Sequence, residues 1–201
     1  MTTMQISAQD VKALRDRTGA GMMECKKALA ETNGDIEAAI DLLRAKGAAK
    51  AAKRADKAAN EGTIGSYIHF DNRTAVIVEV NCETDFVANT DDFKALAKDL
   101  ATHIAAANPL SVSSDDLPAD LVERERQVYL EQVKAEGKPP QVQEKIVEGK
   151  IRKFFEANAL MSQPFVKDPD KTIEQLITEV SAKTGEKIEV ARFARFQVGS
   201  R

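Results

Sequence analysis

Few side chains in this sequence have the type and spacing that chemistry requires. His69 and His103 are its only histidines, and the only cysteines, Cys25 and Cys82, are far apart. Neither cysteine has a second Cys or a His nearby at metal-ligand spacing, so no metal site is expected. The adjacent carboxylates Asp91 and Asp92 stand where a helix should begin, and opposing the helix dipole is role enough for them there. Phosphate-cradling glycine loops, a dinucleotide fingerprint and a nucleophile elbow are all missing. No catalytic residue, cofactor or metal is therefore predicted, and an enzyme is the weaker alternative.

Two apolar features ask for another explanation. Met22 and Met23 are consecutive, so on a helix they point about 100° apart and cannot both sit at the centre of a narrow core stripe. Either both reach the core of a small bundle, or one offers a partner the adaptable surface that methionine makes. Phe86 follows the polar run Asn81-Cys82-Glu83-Thr84-Asp85 in a strand-to-helix loop. It is either an anchor folded back onto the core or a wedge for a partner's pocket.

Composition narrows the classes further. With 29 basic and 32 acidic side chains the formal net charge is −3, so no global field draws the chain toward nucleic acid or an anionic membrane. No stretch approaches the roughly 20 apolar residues of a membrane span, and the first residues lack a basic leader followed by an apolar run. A cytoplasmic protein is expected. One local exception is the segment from Arg44 to Lys57, with six basic side chains and one acid: a solvated helical connector, or a surface for an anionic partner.

The elements that must position these residues read as follows. Ser7 caps a first helix that Gly19 stops, and a second runs from Gly21 to about Thr32 before Asn33-Gly34. Asp35 caps a third, carrying Ile36, Ala39, Ile40 and Leu43, with Gly47 as its stop. Residues 1–47 thus form a three-helix docking bundle, 48–61 a basic helical linker and 62–201 an α+β core. In that core GTIGSYIHF and TAVIVEVNCE make a hairpin, and the run Ala75-Val76-Ile77-Val78 predicts a strand buried on both faces. A helix capped by Thr90 passes His103 and ends at Asn108-Pro109, and LSVS is read as a short strand. Two charged helices, from Pro118 to about Glu136 and from Pro140 to about Ala157, should form an antiparallel hairpin. An extended segment from Gln163 to Pro169, a helix capped by Thr172 and a final strand from Ile188 to Val198 complete the chain. The predicted fold class is α+β, a small antiparallel sheet covered by helices behind the bundle.

Four segments, RTGAGMMECKKAL (Arg17 to Leu29), NGDIEAAIDLLRAKG (Asn33 to Gly47), VEVNCETDFVAN (Val78 to Asn89) and QPFVKDP (Gln163 to Pro169), together resemble the bacterial elongation factor Ts family. The resemblance runs through nearly the whole chain. It implies an N-terminal domain of the ubiquitin-associated type and a guanine nucleotide exchange factor that binds the GTPase elongation factor Tu and releases GDP. The loop Thr84, Asp85, Phe86 and Val87 would then enter the partner and disturb its magnesium site. Val11, Lys12, Leu14, Arg15, Met22 and Met23 match the family's docking surface, and His103 a histidine that meets another domain of the partner. Only a single core subdomain fits residues 58 to 201, unlike the longer members, so a homodimer is expected. The competing reading is a non-catalytic adaptor whose bundle binds a helix or ubiquitin-like surface, with Phe86 in the core. Direct nucleic-acid binding through Arg44 to Lys57 is a third.

Overall fold

A computed structural model of the chain describes residues 6–200. Helix α1 (Ala8–Thr18) opens with a reciprocal cap: the Ser7 hydroxyl accepts the Asp10 N–H at 3.1 Å, and the Asp10 carboxylate accepts the Ser7 N–H at 3.2 Å. Helix α2 (Met22–Glu31) follows, and Asp35 accepts the Ala38 N–H at 3.0 Å to start α3 (Ile36–Ala52). Val11, Leu14, Cys25, Ala28, Leu29 and Ala39 form the buried cluster that holds these helices together.

Gly47 does not stop α3, which continues to Ala52. A Cβ at Gly47 would lie 3.2 Å from the Ala182 Cβ, so the glycine is there for close approach to another helix rather than for a turn.

Strands β1 (Glu61–Ile68) and β2 (Thr74–Cys82) form the expected hairpin, and β2 is central in the order β1-β2-β5, with β5 spanning Ile188–Gln197. The two-faced burial expected of β2 is not found. Val76, Val78, Val80 and Cys82 are buried, whereas Ile77 between them is 51% exposed. The pleat sends alternate residues to opposite faces, and the helices take up only one of them.

Between β2 and β5 come a single turn of helix, α4 (Asp85–Ala88), and then α5 (Asp91–Ala107), which Thr90 caps through the Phe93 N–H at 3.3 Å. Helices α6 (Ala119–Ala135) and α7 (Pro140–Asn158) make the predicted hairpin around Val133, Val147 and Ile151. The LSVS segment supplies only a bridge from Ser111 to Ala159. Pro164–Phe165 (β3) and Asp168–Thr172 (β4) pair antiparallel, so the extended segment folds on itself before α8 (Ile173–Thr184).

The chain falls into two compact units. One holds the described residues to Thr63 with Val80–Leu96 and Gln175–Glu189; the other holds Ile64–Glu79, Ala97–Glu174 and the residues from Val190 onward. Within the second, β1 lies so close to α5 that a Cβ at Gly65 would come to 2.3 Å from the Ala97 carbonyl oxygen. Only glycine fits without a backbone shift. Gly65→Ala should therefore cost about 1–3 kcal/mol, read as a lower urea midpoint with an unchanged slope.

Candidate functional site

At the end of β2 the chain turns through Glu83 and Thr84 into α4. Thr84 is extended, with φ −132° and ψ 153°, and its hydroxyl oxygen accepts the Val87 N–H at 3.4 Å as the helix cap. One turn of helix then turns Ala88 inward and leaves Phe86 82% exposed. Asp85 is exposed beside it, and Val87 is half-buried. Folding does not use the Phe86 ring.

The backbone beneath the ring is tied on several sides. Glu186, in the turn between α8 and β5, accepts the Glu83 N–H at 3.1 Å, the Thr84 N–H at 3.0 Å and the Thr84 hydroxyl at 2.6 Å. The Glu83 carboxylate in turn accepts the Lys187 N–H at 2.6 Å and a fork from Arg54, Nε at 2.7 Å and Nη2 at 2.6 Å. The Arg54 guanidinium, helped by the Lys187 N–H, holds the Glu83 carboxyl down at about 2 against an ordinary 4.5. Cys82 donates its S–H to the Thr84 carbonyl at 3.1 Å, and burial pushes its pKa up, which keeps it a thiol.

The predicted docking positions divide in two. Lys12, Arg15, Met22 and Met23 are exposed, Met22 by 44% and Met23 by 65%, so the reading of both methionines as core is overturned. Val11 and Leu14 belong to the bundle's interior, on the inward stripe of α1. They support such a surface without forming it.

His103 is fully buried as well, so it presents no surface to another molecule. Its Nδ1 accepts the Val166 N–H at 3.3 Å, which places the proton on Nε2 facing the Gln163 Oε1 at 2.9 Å. The Gln163 amide donates onward to the Ala157 carbonyl at 2.7 Å. His69 accepts the Tyr67 hydroxyl or donates to it at 2.9 Å, and Asp92 pairs with Lys183 at 2.6 Å. No group of His, Cys, Asp and Glu among the described residues could hold a metal ion.

Arg54 and Glu186 went unnoticed in the sequence. Arg54 was one cation in a basic run, and Glu186 one carboxylate in a Gly-Glu-Lys turn. No local spacing connects either with residues 83 and 84.

The family model for elongation factor Ts matches residues 2–200. The chain is 55% identical over 198 residues to an elongation factor Ts of Syntrophobacter fumaroxidans, covering 98% of this chain and 99% of that one. It is 57% identical over 196 residues to that of Thermodesulfovibrio yellowstonii, 98% of both chains, and 55% identical over 196 residues to that of Fervidobacterium nodosum, 98% and 100%.

The chain belongs to the elongation factor Ts family. It is thus a translation elongation factor, and the activity of elongation factor Ts is nucleotide exchange on elongation factor Tu.

The buried histidine gives the chain a pH dependence of stability. Burial pushes the His103 pKa below its ordinary 6.5. The unfolded chain therefore takes up a proton near pH 6.5 while the native one resists it, so the unfolded state binds more protons and stability falls as pH drops. Urea midpoints should decline between about pH 6.5 and 5, and the decline should flatten in His103→Gln.

Proposed function

We propose that this chain releases GDP from elongation factor Tu by inserting the α4 turn, with Phe86 as the wedge and Asp85 beside it. The observation that carries this reading is an aromatic ring left in water on a turn whose backbone is held by Glu186 and Thr84. Thr84 and Val87 give the turn its shape. The nucleotide's Mg²⁺ requires near-octahedral geometry, so a small displacement of its ligands in the partner weakens nucleotide binding. The chain supplies no reacting group of its own and acts as an exchange factor rather than an enzyme.

Magnitudes assign the rest of the surface its part. Burying one Phe yields about 1.5–3 kcal/mol, whereas about a thousandfold loss of nucleotide affinity needs about 4.1 kcal/mol of coupling. The bundle must therefore contribute, and Lys12, Arg15, Met22 and Met23 are its exposed docking positions, with Val11 and Leu14 behind them. His103 would act through the segment it holds at Gln163 and Val166 rather than by contact. The proposed division of labour is 1–47 for docking, 48–61 as linker and 62–201 as core, although α3 runs past 47 to Ala52 and the compact units combine the first segment with Val80–Leu96 and Gln175–Glu189.

A homodimer is part of the same reading. On β1 and β2 the residues opposite to the buried set include Ile64, Ile68 and Ile77, all exposed. A second copy pairing through that face would cover them. Ile77→Lys should shift the protein to a monomer in sedimentation, and a parent chain that already sediments as a fully active monomer would defeat the dimer.

Direct nucleic-acid binding is disfavoured, because Lys46, Lys50 and Arg54 of the basic run are committed to Glu31, Glu24 and Glu83. No helix among the described residues is long and apolar enough to cross a membrane. The adaptor reading, with Phe86 in the core, loses its premise to the exposure of that ring.

The decisive experiment is stopped-flow release of fluorescent GDP from elongation factor Tu. Phe86→Ala should slow release about ten- to a hundredfold, as the loss of one Phe burial implies. An unchanged rate, with the fold intact by circular dichroism, would end the wedge mechanism.

A further inference from the structure

We infer that Glu186, with the Glu83–Arg54 pair, sets the position of the exchange turn and so governs the rate at which bound nucleotide leaves, without touching the partner. The inference rests on the reading of Phe86 as the wedge.

A wedge works only if the ring arrives already aimed, since ordering a loop during insertion would consume the binding energy that displaces the nucleotide. Phe86 has no packing of its own to aim it. Its direction comes from the backbone, and the backbone of residues 83 and 84 is fixed by one carboxylate 102 and 103 residues away, through three hydrogen bonds of 2.6 to 3.1 Å. The third of these orients Thr84. With its hydroxyl proton given to Glu186, the oxygen faces the Val87 N–H with a lone pair, so the cap of α4 and the grip of Glu186 are one arrangement.

Glu83 completes the clamp from the other side. Its carboxylate accepts the Lys187 N–H, so residues 83 and 84 hold the turn at 186 and 187 while that turn holds them. The Arg54 fork adds the segment just beyond α3, the helix that closes the docking bundle. All of these groups lie in the first compact unit. The bundle and the exchange turn are therefore braced to each other by a bidentate ion pair, which a lysine at 54 could not reproduce.

Glu186→Gln tests the assignment with little change of shape. It presents an NH2 where an acceptor is needed, so at least one of the three donors loses its partner. Arg54→Lys keeps the charge and removes the fork. Stopped-flow release of fluorescent GDP from elongation factor Tu is measured against concentration of each variant. Glu186→Gln should lower the limiting release rate about tenfold and leave the half-saturating concentration within about twofold, with Arg54→Lys giving a smaller loss of the same kind. Faster hydrogen exchange at the Glu83, Thr84 and Val87 amides should accompany it. In a Phe86→Ala background Glu186→Gln should slow release no further, because its effect runs through the ring. A limiting rate equal to the parent's, or a loss that multiplies undiminished with that of Phe86→Ala, would overturn the inference. Should Glu186→Gln fold poorly, Thr84→Val, which replaces the hydroxyl by a methyl and so removes its bonds to Glu186 and to the Val87 N–H, carries the same expectation. If Phe86→Ala itself releases GDP at the parent rate, the wedge falls and this inference with it; if Phe86→Ala is slow and Glu186→Gln is not, the inference alone falls.

Discussion

Two carboxylates tie two distant turns together, each accepting backbone N–H groups of the other's turn. Glu186 takes the N–H groups of residues 83 and 84, and Glu83 takes the N–H of Lys187. Two acidic side chains at neighbouring turns would ordinarily repel. Here each faces amide donors, and the Arg54 guanidinium lies against Glu83, so charge that would open the site closes it. The Arg54 guanidinium holds the Glu83 carboxyl down at about 2. Phe86, exposed to water, stands on the turn that these bonds hold.

The same economy of placement separates the two kinds of apolar residue in the bundle. Val11 and Leu14 on α1, with Cys25, Ala28 and Leu29 on α2, are used up in holding three short helices together. Met22 and Met23 at the start of α2 are left outside. A bundle this small has room for one stripe per helix, so adjacent methionines cannot both enter it. What is left over is an unbranched, polarisable surface near the cations Lys12 and Arg15 in sequence, suited to a partner of mixed character.

Local rules read well from the sequence, and distant ones did not. The Ser7–Asp10 cap, the Asp35 cap, the Thr90 cap and the α6–α7 hairpin each follow from residues within a few positions of one another. Gly47 was misread because glycine has two uses, and only the neighbour at Ala182 tells which applies. The β-branched run in β2 was taken for a doubly covered strand, because composition cannot reveal how many layers surround a sheet. Exposure of Phe86 was left open by the sequence for the same reason, and the burial of His103 required knowledge of Gln163 and Val166. The four motifs identified the family correctly, although nothing in them pointed to Arg54 or Glu186.

The distance in sequence between the two turns has a consequence for biosynthesis. A nascent chain on the ribosome can close α1, α2 and α3 early, since their contacts are local and fast to form. Residues 83 and 84 must wait until residues 186 and 187 have left the exit tunnel, about a hundred residues later in synthesis. The nascent polypeptide thus closes its helical bundle long before the turn at residues 83 and 84 is set. Long-range pairing delays the turn here, so an incomplete chain would carry a closed three-helix bundle and an unheld turn at residues 83 and 84.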